Sequence, residues 1–156
     1  MSDSIKQRPA RADADLAAGV IVATVDLAVP PERVFRALAS PETTEWWVRP
    51  GVFDTREWTG DVRVGGRWRA SGIGRGQPYT LEGEFLEIDP PRKLVHTWQR
   101  VGLPGAPTTV TYLLEVIDGG TRLTIRHAGF TSPDATTNNS AGWETSLQKL
   151  ADLLVE

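Results

Sequence analysis

The segment that most constrains the fold is Gly120–Glu156, because it joins an alternating strand to an amphipathic helix. From Thr121 to Phe130, Leu123, Ile125 and His127 point one way, while Arg122, Thr124 and Arg126 point the other. That two-residue period marks a half-buried strand. From about Thr137 to Val155, Trp143, Leu147, Leu150 and Leu154 recur at helical spacing on one stripe, with Glu144, Gln148, Lys149 and Asp152 facing water. An apolar stripe needs a cover, and the rest of the chain offers strands rather than long helices. A curved antiparallel sheet closed over the helix satisfies both, with any pocket lying between them.

Composition narrows the possibilities. A chain of 156 residues is expected to form one domain, with residues 1–16 a polar, flexible arm and 17–156 the folded unit. The absence of cysteine excludes disulfides, thiolate zinc sites and cysteine nucleophiles. A net charge of -3 lacks the basic excess that a phosphate backbone demands, so nucleic acid is not an expected partner. No apolar run approaches the roughly 20 residues of a membrane span. The first residues lack the apolar core of a secretory signal, and a cytoplasmic location is expected. Six tryptophans are the unusual feature, since large rings either fill a core or line a cavity.

Taken in order, Gly19–Val29 reads as a first strand burying Ile21, Ala23, Val25, Leu27 and Val29. Pro30 and Pro31 stop it and open a short helix, PERVFRALAS, whose Glu32 suits the positive helix end. Ser40 is expected to cap a second short helix ending near Trp46 and Trp47, before Pro50 and Gly51 break the chain. Strands are then predicted over 54–62, 66–73, 79–88, 93–100 and 108–117, the last turning Val110, Tyr112, Leu114 and Val116 inward. Short connections containing Gly and Pro make the pairing antiparallel. The expectation is an α+β fold: a curved antiparallel sheet of six to seven strands around a long C-terminal helix, with two short helices after the first strand.

Several segments, in this order, resemble a known pattern: VPPERVFRAL at 29–38, the Trp46-Trp47 pair, DVRVGGRW at 61–68, IDPPRKLVHTW at 88–98, GTRLTIRHAGF at 120–130 and Gly142-Trp143. Together they resemble the START-like (SRPBCC) superfamily, in the branch of homologues of the activator of the heat-shock chaperone ATPase. The resemblance implies a helix-grip fold and spans almost the whole chain from Val20. It also implies several functions, because this fold carries binding modules, cyclases, lipid carriers and co-chaperones. Relatives often carry histidine three positions before the Gly-Trp pair, where this chain has Asn139. An amide donates and accepts hydrogen bonds but is no general base near neutral pH.

The expected function is binding of a small hydrophobic or aromatic molecule between sheet and helix, lined by Trp46, Trp47, Trp68, Trp98, Tyr112, His127, Phe130, Asn139 and Trp143. A second reading is a cyclase or dehydratase using His127 or His96 as acid/base. A third is a module regulating a chaperone ATPase, with a chaperone as partner, as the resemblance suggests; monomer and homodimer are both open. The histidine spacing does not suggest a metal site. Nor is a cofactor expected, since the glycine-rich run at 72–76 lies between strands and lacks the Lys-Ser/Thr ending of a phosphate loop.

Overall fold

A computed structural model describes residues 8–155 of the chain. Its strands are β1 (Arg11–Asp15), β2 (Val20–Leu27), β3 (Val48–Arg49), β4 (Phe53–Gly60), β5 (Arg67–Gly74), β6 (Gln77–Asp89), β7 (Lys93–Arg100), β8 (Thr108–Ile117) and β9 (Gly120–Ala128). The helices are α1 (Pro31–Leu38), α2 (Thr43–Trp46) and α3 (Pro133–Leu153). All strand pairs are antiparallel, in the order β1-β2-β9-β8-β7-β6-β5-β4-β3, and the sheet packs against α3. This is the helix-grip arrangement of an α+β domain.

The long strands follow their alternation. Ile21, Ala23 and Val25 of β2 are fully buried, as are Leu123, Ile125 and His127 of β9 and Val110 and Tyr112 of β8. Their pairing across β2-β9-β8 stacks them on the face that meets α3, which supplies Trp143, Leu147 and Leu150.

Nine strands among the described residues replace the expected six to seven, and the two beyond seven are at the edges. β3 is a two-residue pairing of Val48 and Arg49 with Asp54 and Phe53. β1 corrects the expectation of a free arm over residues 1–16: Arg11–Asp15 pairs with Val20–Thr24, while residues 1–7 lie outside the described residues. Its sequence, RADAD, alternates charges only with small alanines, of which Ala12 alone is partly buried, so it carries little hydropathy signal. α3 holds its outer side, with the amides of Ala10 and Ala12 donating to Gln148 Oε1 and Glu144 Oε2, each at 3.1 Å. Two residues expected merely to face water therefore secure an edge strand.

Three further expectations change. α3 begins at Pro133 rather than near Thr137, with Ser132 as N-cap accepting from the Ala135 amide. Ser40 accepts from the Glu42 amide, but Glu42 occupies the cap position of α2. Val116, expected inward, is 74% exposed, beyond Leu113, the last residue of β8 that pairs with β7. Asp26, on the opposite face of β2 from Ala23 and Val25, is buried as well, bonded to the N-terminal segment. There it accepts two bonds from the Arg122 guanidinium, at 2.8 and 3.1 Å, and one from the Arg8 amide at 2.8 Å. Burial pushes its carboxyl up, but these bonds and charges outweigh that and hold it below the ordinary carboxylate value.

Candidate functional site

Between the sheet and α3 lies a cavity of about 650 Å³, a size that suits a small organic molecule. Trp47 and Trp143 form its inner wall together with Thr55, Leu81, Gly142 and Ser146, all buried. Its rim is drawn from exposed residues of the β5–β6 turn, the end of β7 and the 101–107 loop.

The inner wall rests on a cluster of indoles. Trp47 is the hub, with ring centroids 4.9 Å from Trp98, 5.6 Å from Trp68 and 5.8 Å from Trp46. Trp143 closes the group from the helix side, 5.7 Å from Trp98. Most of these contacts are tilted or edge-on, the orientations the ring quadrupoles favour. Trp46 donates to the Ala37 carbonyl and Trp68 to that of Thr97. Trp47 differs: it is 3% exposed, and its Nε1 has no hydrogen-bond partner among the described residues. A buried N–H left in that state costs on the order of 1–3 kcal/mol until something accepts from it.

Both histidines sit behind this wall, with their nitrogens committed. The Trp143 Nε1–H donates to His127 Nδ1 at 3.0 Å, which fixes the proton on Nε2, and Nε2 donates to Thr108 Oγ1 at 2.6 Å. Thr108 passes the chain on by donating to the Trp98 carbonyl. His96 has the opposite tautomer, with Nδ1 donating to the Thr97 carbonyl at 2.9 Å and Nε2 accepting from the Tyr112 hydroxyl at 3.0 Å. Burial pulls His96 down to about 4, and burial with the neighbouring His96 pulls His127 down to about 3. Burial likewise holds the Tyr112 phenol well above its ordinary value. These are neutral rings with both nitrogens hydrogen-bonded, and neither offers a lone pair to the cavity.

The candidate residues therefore divide into two layers. Trp47, Trp98, Phe130, Asn139 and Trp143 lie on the cavity wall. Trp46, Trp68, Tyr112, His96 and His127 are buried in the layer that supports it. Asn139 Nδ2 donates back to the Ala135 carbonyl one helical turn earlier.

Sequence reasoning missed Phe53, Tyr79 and the arginines of the rim. Gly142 faces the Phe53 ring, which leaves room for a side chain. A Cβ there would lie 3.4 Å from the Phe53 ring, in ordinary contact. Replacing Gly142 by alanine is thus expected to raise stability by roughly 0.5–1 kcal/mol through helix propensity while trimming the cavity, as urea denaturation would show. Tyr79 bonds Thr55 Oγ1 at 2.8 Å and carries the Arg100 guanidinium 5.9 Å above its ring centroid. Burial raises its phenol, which stays protonated at neutral pH.

Known structures share this architecture. Protein CV1439 from Chromobacterium violaceum is similar at 32% identity, with 87% of this chain and 96% of that one aligned and a TM-score of 0.75. A protein from Rhodobacter sphaeroides matches at 23% identity over 94% of this chain and 98% of its own, TM-score 0.78. CalU16 from Micromonospora echinospora matches at 24% identity over 96% and 85%, TM-score 0.63; at these last two identities the likeness is one of fold. Among curated proteins no match was found. The profile of the family described as "Activator of Hsp90 ATPase homolog 1-like protein" matches residues 28–155, from the end of the first core strand through α3, and the chain belongs to that family.

Proposed function

We propose that this protein binds a small hydrophobic or aromatic molecule in the cavity between its sheet and α3. The observation that carries the reading is the wall itself: Trp47, Trp98 and Trp143 flank about 650 Å³ of space instead of closing it. A core built only for stability is filled to the density of an organic crystal. The unpartnered Trp47 Nε1 favours a ligand that brings an acceptor to the apolar wall. The fold is one known for holding ligands in this place.

The acid/base reading is disfavoured by the same geometry, because the hydrogen bonds of His96 and His127 would have to break before either ring could move a proton. Regulation of a chaperone ATPase is suggested by the family description alone.

A panel of fatty acids, flavonoids and aromatic polyketides, screened by tryptophan emission and melting temperature, tests the proposal. Binders are expected to quench or shift the emission, since three indoles line the space. The plugged variant Gly142→Leu should lose the response while remaining folded by circular dichroism. An unresponsive wild type, with no small molecule co-purifying by native mass spectrometry, would remove the reading.

A further inference from the structure

The geometry points to a ligand that carries an anionic head, a carboxylate, sulfonate or phosphate, held at the cavity rim by Arg49, Arg75 and Arg100. This rests on the proposal that the cavity binds an apolar body.

The chain carries 20 acidic against 17 basic residues, yet the described residues lining the cavity include three arginines and no Asp or Glu. Elsewhere most arginines pair with carboxylates, as Arg33 and Arg36 do with Glu42, Arg63 with Asp61 and Arg122 with Asp26, Arg69 and Arg126 being exceptions outside the cavity. Arg49, Arg75 and Arg100 have no carboxylate within 4.0 Å among the described residues. Asp54, whose charge reaches Tyr79, is engaged by Arg56 at 3.2 Å.

The backbone draws the three together. The Val52 amide donates to the Arg49 carbonyl, and the Arg75 amide to the Val52 carbonyl, each at 2.9 Å, so the β3–β4 turn is laced to the β5–β6 turn. Arg100 pairs with Leu81 across β6–β7, and its guanidinium rests over Tyr79, whose ring lies beside Gly74. A planar guanidinium matches an oxyanion bidentately, and none of the three guanidinium groups makes a hydrogen bond or ion pair with a described residue, Arg100 making only its contact with the Tyr79 ring.

Arg75 supplies the independent sign. With Gly76 it makes the two-residue turn of the β5–β6 hairpin, at φ 50° and 80°. Asn-Gly and Asp-Gly are the sequences this left-handed turn prefers. A long side chain there is strained, and strain of this kind gathers where a side chain must be placed for a ligand.

The test uses a matched pair of dyes, anilinonaphthalene sulfonate and its sulfonate-free parent phenylnaphthylamine, titrated against the whole protein. The sulfonate is expected to bind about tenfold tighter or better, an advantage that shrinks with added salt because the rim is exposed. Changing Arg49→Gln, Arg75→Asn and Arg100→Gln together should abolish that advantage and leave the neutral dye's affinity unchanged. Arg75→Asn alone should weaken the sulfonate while the melting temperature holds or rises, which a merely structural arginine would not do. Equal affinities in the wild type, or an advantage that survives in the triple variant, overturns the anionic head alone. Failure of both dyes to bind overturns the cavity proposal as well.

Discussion

Between pH 7 and pH 5 the protein is expected to lose about 3–4 kcal/mol of folding stability, read from urea midpoints at each pH. The cause is the pair of buried imidazoles, 3% and 0% exposed, held at about 4 for His96 and about 3 for His127 against an ordinary value of 6.5. Below 6.5 the unfolded chain takes up two protons that the folded chain refuses, so stability falls as pH falls. The loss continues to the folded values, where the rings finally charge. Asp26 acts in a separate window: its depressed carboxyl stabilises the fold above 3.8 and loses that contribution only below it. The slope from pH 7 to 5 therefore belongs to the histidines, and the double variant His96→Gln, His127→Gln should flatten it even if it is less stable throughout. Domains of this size commonly have about 5–15 kcal/mol in total, so the effect is large. A flat wild-type profile would mean that these rings charge freely in the folded state.

Gly83→Ala is expected to cost about 3 kcal/mol or more, lowering the melting temperature by roughly 6–12 °C. Its Cβ would be driven into the Thr97 carbonyl oxygen and against the Trp68 indole nitrogen. That carbonyl is an unusually committed acceptor, taking hydrogen bonds from Trp68 Nε1 at 3.1 Å and from His96 Nδ1 at 2.9 Å. Thr97 Oγ1 meanwhile accepts from the Glu84 amide, just ahead of the β6–β7 register shift between Phe85 and Glu87. Displacing the strand would strand two buried donors, each costly when unpaired. Thermal melts of the variant decide it. A melting temperature within a degree or two of wild type would show that β7 yields without losing those bonds.

The sheet and the long helix were legible because β2, β8 and β9 alternate cleanly and α3 repeats its apolar residues at helical spacing. β1 was not, since RADAD alternates charge only with alanine, too small a contrast to mark a buried face, and is held chiefly by backbone pairing and by two side chains of α3. Alternation tells which face a ring takes but not how deep it lies. It could not separate Trp98, on the cavity wall, from Trp68, which bonds a strand carbonyl behind it. Phe53 and Tyr79 belong to strands recognised only in outline, and their meeting with α3 and Arg100 depends on sheet curvature. Arg75 did leave a sign in the sequence: an Arg-Gly pair in a two-residue hairpin where Asn-Gly is the comfortable choice.

The bonds from α3 to β1 bear on how two copies of the protein can meet. A sheet normally presents two margins on which a stray strand can be templated. At one margin the Ala10 and Ala12 amides are already spoken for by Gln148 and Glu144. At the other, β3 pairs over only two residues before Pro50, which has no N–H to offer. Runaway strand addition, the usual hazard of a large antiparallel sheet, thus finds little purchase at either end of the described fold. Self-association is steered towards side-chain surfaces, where it can be specific and reversible.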